Sequence, residues 1–182
     1  ILHLESIKEH DLDKGLDVIA RKLVERLLVF FVTGGIHTPK ITIKEEDGSN
    51  SIVLNNYIGK DSDIQQVGSD ESITLHGKDN DWIFTVKIYK IYYSAITNKI
   101  CLTANMREVT DSAIHNYVPE FKEPMFELND KGIQKNYMIK AYVQGSYLDD
   151  NVTIERDGFT FGKEEEIYSD LSERQIMKTV AT

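Results

Sequence analysis

The sequence predicts an α/β protein of the α+β type, in which helices cover a mixed, mostly antiparallel sheet. Apolar residues recur at three- and four-residue steps over residues 11–33, which is the period of an amphipathic helix. After Pro39 the pattern changes to alternation in short runs, separated by turn-forming groups such as Asp47-Gly48-Ser49-Asn50. One long helix followed by antiparallel strands is therefore the expected architecture.

The helical segment has recognisable ends. Asp11 is a favourable N-cap residue, and Gly34 and Gly35 tolerate the positive φ angles that often end a helix. We also expect a short helix at residues 112–117 and a C-terminal helix that begins near residue 163.

The strands follow from alternation of apolar and polar residues. In the longest, residues 81–93, Trp82, Phe84, Val86 and Ile88 share one side, so one face of the sheet is expected to form the core. A turn at residues 95–98 is predicted to return this strand directly into the next. Residues 122–131 are expected to be a polar connection that is mobile or runs over the surface. The other expected strands cover residues 41–43, 52–54, 73–75, 100–104 and 137–143.

Composition indicates one globular domain with short attached ends. The chain has 182 residues, of which 41% are hydrophobic and 28% charged. Its only cysteine, Cys101, excludes an internal disulfide and is expected to be a buried thiol in a reducing, cytoplasmic compartment. No run approaches the roughly 20 apolar residues that span a bilayer, so no membrane span is expected.

The net charge limits the kinds of partner that the chain is expected to bind, and its first residues bear on the kind of protein it comes from. The formal charge of −9 disfavours sequence-independent binding to a nucleic-acid backbone, which requires a basic face. The chain begins with Ile1 and lacks the features of a secretory signal at this end, so we expect a fragment of a larger intracellular protein.

Signatures of self-contained catalysis are missing from the sequence. The five histidines include no pair at the i, i+4 spacing of a helical metal site and have no second cysteine to join them, so we expect no metal site. The sequence also lacks a G-x-S-x-G elbow, a phosphate-binding P-loop and a G-x-G-x-x-G dinucleotide motif.

Two segments carry more specific motifs. Residues 98–109 form a strand that ends in an N-x-R-x-V turn, and residues 142–159 contain Asn151-Val152-x-x-Glu155-Arg156. The first is similar to the V-N-G-R-x-V hairpin of MutL-type proteins and type II topoisomerases, with Met106 in place of the glycine, which leaves the turn geometry open. The second resembles the L-P-L-N-V-S-R-E stretch of heat-shock chaperone ATPases. Both families belong to the GHKL superfamily of ATPases.

The resemblance implies a transducer domain with a ribosomal protein S5 domain 2-like fold. It divides the chain into the last strand of an upstream ATP-binding domain (1–10), the transducer (11–162) and the start of a C-terminal helix (163–182). The full-length protein is then expected to be a homodimer that uses ATP and Mg²⁺. The nucleotide-binding motifs of the superfamily are missing here, so this chain is expected to hold no cofactor and to be inactive alone.

The same resemblance assigns Arg156 as the residue that contacts the γ-phosphate, as both a catalytic and a cofactor-binding residue, and Asn151 as a second cofactor-binding residue. A guanidinium suits this role because it stays charged and offers a planar fork of donors. The competing interpretation is a surface arginine paired with Glu155 or Asp157.

Two other functions stay open at this point. The chain could be a protein-binding or scaffold module that uses tyrosines as interface anchors, namely Tyr89, Tyr92, Tyr93 and Tyr147. Alternatively, it could be a small enzyme that uses an acid pair such as Asp149 and Glu155, which requires a pocket near Asn151.

Overall fold

The computed structural model describes residues 15–33, 38–93, 97–129, 131–165 and 167–182. Helix α1 spans Leu16–Thr33, which confirms the helix predicted from the apolar period. Its side chains Ala20, Val24 and Leu28 are fully buried. The proposed Asp11 cap, the strand expected within residues 1–10 and the Gly34-Gly35 end of the helix lie outside the described residues.

Mixed α/β architecture is confirmed, with a mostly antiparallel sheet and few helices. The sheet order is β3-β4-β8-β5-β6, with β7 paired to the first half of β8, while β1 and β2 form a separate hairpin. Only the β5–β8 pairing is parallel among the described strands. The strands are β1 (Thr42–Lys44), β2 (Ser51–Val53), β3 (Ile64–His76), β4 (Asp81–Ile91), β5 (Lys99–Ala104), β6 (Arg107–Ala113), β7 (Met125–Leu128) and β8 (Gln134–Gln144).

Both faces of the sheet are buried, which corrects the expectation that one face forms the core. On one face Phe84 and Val86 of β4 belong to a core that includes residues of the two C-terminal helices. On the other face Tyr89 and Ile91 of the same strand pack in a second core with α1. Because α1 covers the second face, Tyr89 and Ile91 are buried there as well.

The predicted turn at residues 95–98 does not join neighbouring strands. Strand β4 pairs with β3 on one side and β8 on the other, and β5 pairs with β8 and β6, so β8 lies between β4 and β5. Residues 94–96 lie outside the described part of the chain. Alternation marks a strand but does not name its partner, which is why the sequence favoured the nearer pairing.

Two further expectations are corrected along the following chain. The predicted helix at 112–117 is the end of β6 followed by a single 3₁₀ turn, Ile114–Asn116. Within residues 122–131, expected to be an irregular connection that is mobile or runs over the surface, Met125–Leu128 forms strand β7 and pairs with β8. The predicted strand at 137–143 is confirmed as part of β8, with Ala141 and Val143 buried.

The C-terminal part adds two helices to the face opposite α1. Helix α2 covers Ser146–Asp150 and helix α3 covers Glu173–Ala181, so the C-terminal helix is confirmed but begins ten residues later than expected. Ser172 caps α3, since its hydroxyl accepts from the backbone N–H of Gln175 while the Gln175 side chain accepts from Ser172 N at 2.7 Å. Within the described residues, no helix has the length and apolar character needed to cross a membrane.

Candidate functional site

The loop that carries Arg156 follows α2 and closes on itself. At its base the N–H of Thr160 donates to the carbonyl of Asn151 at 2.8 Å. One residue further in, Val152 and Phe159 form an antiparallel bridge. These contacts join the two ends of the loop to each other, so the loop has a defined shape.

Arg156 lies at the tip of this loop in a left-handed backbone conformation. Its φ is 59°, and its N–H donates to the carbonyl of Thr153 at 3.0 Å. The Thr153 hydroxyl donates to the Asp157 carboxylate at 2.9 Å. Across the described residues, Arg156 makes no ion pair with Glu155 or Asp157. The side chain of Arg156 is therefore exposed and not neutralised by its acidic neighbours.

Asn151 anchors the loop through its side chain. Its Nδ2 donates to the carbonyl of Tyr147 at 2.8 Å, and the Thr160 hydroxyl is 3.2 Å from its Oδ1. Both polar ends of the amide are thus engaged within the domain. This geometry gives Asn151 a positioning role for the loop that presents Arg156.

A cavity of about 410 Å³ lies beside the loop base, and Asn151 and Thr160 line it. Asp170 also lines this cavity, and two hydrogen bonds hold its carboxylate. Its carboxylate accepts from Asp79 N at 2.8 Å and from Trp82 Nε1 at 2.6 Å, and these bonds lower the pKa of Asp170. Asp170 therefore stays ionised and ties the last connecting segment to the β3–β4 turn.

The acid pair considered as a catalytic alternative does not meet at this cavity. Asp149 and Glu155 are not among the residues that line it. The Asp149 carboxylate accepts from the backbone N–H of Asn105 at 2.7 Å, so it holds the β5–β6 turn. The structure thus gives the two carboxylates separate surroundings.

Two of the tyrosines considered as interface anchors are buried. Tyr89 and Tyr147 are each 4% exposed, and Tyr92 and Tyr93 are half-buried. The Tyr147 hydroxyl donates to the carbonyl of Leu171 at 3.0 Å, which explains how it is accommodated in the core. Exposed-anchor roles for Tyr89 and Tyr147 are therefore wrong.

The N-x-R-x-V motif forms the hairpin between β5 and β6. Asn105 and Met106 both have positive φ, at 49° and 60°, which is the pattern of a two-residue type I′ turn. Arg107 then begins β6, and its side chain is exposed. The motif leads into strand β6.

Cys101 is a core residue. Its side chain is fully buried on β5, and burial raises the pKa of the thiol, so the predicted buried thiol is confirmed. Throughout the part of the chain that the structure describes, no three His, Cys, Asp or Glu side chains are placed to share a metal ion.

Sequence reasoning missed an ionic cluster beneath α1. Lys140 pairs with Glu108, and the Tyr142 hydroxyl donates to the same carboxylate oxygen at 3.0 Å. Lys140 and Tyr142 are two residues apart and therefore share one face of β8. That spacing was the available signal, but Glu108 comes from β6, which only the fold brings close.

Comparison with known proteins gives no assignment. No family model matches the chain, and no curated protein or solved structure is significantly similar to it.

Proposed function

We propose that this chain is a transducer domain of a GHKL-type ATPase, with a ribosomal protein S5 domain 2-like fold. In this role it couples ATP binding and hydrolysis in an upstream domain to movement of downstream parts, and Arg156 contacts the γ-phosphate. A residue of one rigid domain that touches a ligand on another biases the angle between the two, which is how hydrolysis becomes motion.

The observation that carries this proposal is the presentation of Arg156. An exposed guanidinium without an ion-pair partner in the described residues is available for an external anion. The loop base at Asn151 and Thr160 holds it on the domain, as an electrostatic contact to a transition state requires. The left-handed backbone at Arg156 is an unusual conformation for arginine, and such strain is often retained at functional positions.

The test compares ATP turnover and ATP affinity of the parent protein with Arg156 intact, with Arg156→Ala and with Arg156→Lys. We expect Arg156→Ala to lower kcat with nearly unchanged affinity, by about 2–4 kcal/mol of transition-state stabilisation. Arg156→Lys should recover part of this, because it restores the charge without the fork.

Arg174→Ala is the matched control. Arg174 is also an exposed arginine, but it already pairs with Glu164 at 3.0 Å on the C-terminal helix. We expect normal turnover from this variant. Equal turnover in the Arg156→Ala and unchanged proteins would exclude the phosphate contact.

A second candidate, a protein-binding module, is favoured by one exposed apolar cluster. Phe126, Leu128 and Ile133 are 61%, 66% and 59% exposed at the β7–β8 hairpin. Strand β7 pairs only with β8 among the described strands, so its outer edge offers backbone groups to a partner strand. If the chain has this function, Arg156→Ala leaves ATP turnover of the parent protein unchanged. The double variant Phe126→Ser with Leu128→Ser then weakens association with the partner protein.

A further inference from the structure

A groove runs between α1 and the β5–β6 hairpin. Its volume is about 870 Å³, and one wall is formed by residues of α1 that include Arg26 and Phe30. Met106 and Arg107 form the opposite wall, and Lys140 of β8 also lines the groove. A groove of this size accommodates a small organic molecule.

The charge of the groove opposes that of the chain. Four basic and two acidic side chains line it, although the chain carries a formal charge of −9. One of the acids, Glu108, is already bonded to Lys140 and Tyr142. A net positive groove on an acidic protein concentrates small anions at that place.

Two arginines on facing walls are available to such an anion. Among the residues described, neither Arg26 nor Arg107 makes an ion pair or a side-chain hydrogen bond. Both side chains are exposed. Guanidinium groups bind phosphate oxygens through paired N–H donors, so two of them lining one groove suit a phosphate ligand.

Lys140 contributes a third cation at a more buried level. Only 10% of its side chain is exposed, and its ammonium group has three donors, of which one is directed to Glu108. Glu108 keeps this ammonium compensated when the groove is empty. The remaining donors are suited to a second acceptor, because a buried cation gains from each added hydrogen bond.

The groove also has an apolar part. Met106 is 48% exposed although it is a large apolar side chain, and the half-buried Phe30 also lines the groove. The positive φ at Met106 makes this residue a costly choice where glycine is preferred. An exposed thioether opposite an aromatic ring favours a ligand with a flat apolar group.

We propose that this groove is a binding site for a small organic phosphate, distinct from the Arg156 loop. The phosphate lies between Arg26 and Arg107 within reach of Lys140, and the apolar group of the ligand packs against Phe30 and Met106. The site does not depend on the function proposed for Arg156, because none of the residues that define it belongs to that loop.

The test measures binding of naphthyl phosphate and of inorganic phosphate to the chain by isothermal titration calorimetry. Naphthyl phosphate is expected to bind more tightly than inorganic phosphate, because it adds the apolar contacts. Arg26→Gln with Arg107→Gln should raise its Kd by at least about tenfold, since two charge-assisted contacts are lost. Circular dichroism of each variant confirms that it is folded.

Arg174→Gln serves as the matched control, because it removes one exposed arginine elsewhere. It is expected to leave the Kd for naphthyl phosphate unchanged. A Kd that is insensitive to the double variant, or equally weakened by Arg174→Gln, overturns the proposal. So does a loss confined to Arg156→Gln, which would instead support the phosphate contact on that loop. Binding of a short thymidine oligonucleotide without binding of naphthyl phosphate also overturns it.

Discussion

Asn98 shows how one buried polar residue joins three parts of the chain. Its side chain is 1% exposed, and its Nδ2 donates to the carbonyls of Phe121 and Glu123 at 2.8 and 3.1 Å. Its Oδ1 accepts from the N–H of Ile139 at 2.7 Å. We expect Asn98→Ala to lower the free energy of unfolding by about 3 kcal/mol, because three backbone groups lose their partner. Urea denaturation measures this.

Asn98→Asp is the informative companion variant. It keeps the oxygen that accepts from Ile139 but replaces the two donors with a carboxylate that faces two carbonyls. It should therefore destabilise at least as much as Asn98→Ala. Near-normal stability of Asn98→Asp would show that shape, and not the hydrogen bonds, is what this position requires.

For individual residues, the sequence predicted a functional role only where the residue belongs to a recognisable motif. Arg156 was singled out by its motif, and the competing pairing with Glu155 or Asp157 is not seen among the described residues. Asn98 was assigned to a turn, because the residues next to it in sequence do not predict its contacts with residues 23 to 41 positions away. Such partners depend on the tertiary fold, which local patterns do not contain.

The β5–β6 hairpin carries a prediction at the scale of a single element. Its turn places Asn105 and Met106 at positive φ, where asparagine is tolerated and glycine is preferred over methionine. Met106→Gly should therefore raise the free energy of unfolding by about 0.5–1 kcal/mol. A thermal unfolding scan should show a Tm increase of about 1–4 °C for a chain of this length.

Asn105→Gly is the control in the same turn. Asparagine already accommodates the left-handed conformation, so this variant should gain less than Met106→Gly. A loss of stability in Met106→Gly would mean that contacts of the methionine side chain outweigh the relief of backbone strain.

Sequence patterns predicted elements better than they predicted neighbours. The period of α1 and the alternation of β8 are long, and both elements are confirmed. Strand β7 has only four residues, and its exposed Phe126 and Leu128 break the rule that apolar strand residues point inward. The β4–β5 pairing was wrong because β8, which separates the two strands, comes later in the chain.

At the scale of the whole molecule, the sheet is a central layer between α1 and the two C-terminal helices. The face toward α1 is rich in aromatic hydroxyls, including Tyr89 and Tyr142, whose rings meet edge to face with centroids 6.1 Å apart. Alternation along β4 predicted that only the face bearing Phe84 and Val86 forms the core. Aromatic rings with polar ends are compatible with burial, which is why alternation alone misassigned the face toward α1.

Tyrosines with raised pKa values make the free energy of unfolding of the whole molecule decrease at alkaline pH. Burial raises the pKa of Tyr89 to about 12 from 10.0, and it raises the pKa of Tyr93 and Tyr142 as well. The unfolded chain releases these protons near pH 10, whereas the folded chain retains them. The stability that these tyrosines contribute is therefore fully present below about pH 10. It is lost as the pH rises toward their pKa values in the folded chain.

Each such tyrosine should contribute a slope of about 1.4 kcal/mol per pH unit above its unfolded pKa. Urea unfolding at a series of alkaline pH values measures the combined slope. Tyr142→Phe should reduce the combined slope by the contribution of one tyrosine. It also removes the hydrogen bond to Glu108, so it lowers the free energy of unfolding at neutral pH. Tyr168→Phe should leave the combined slope unchanged, because Tyr168 is 98% exposed and its surroundings change little on unfolding. An equal slope in the two variants would mean that burial of Tyr142 does not govern the alkaline unfolding.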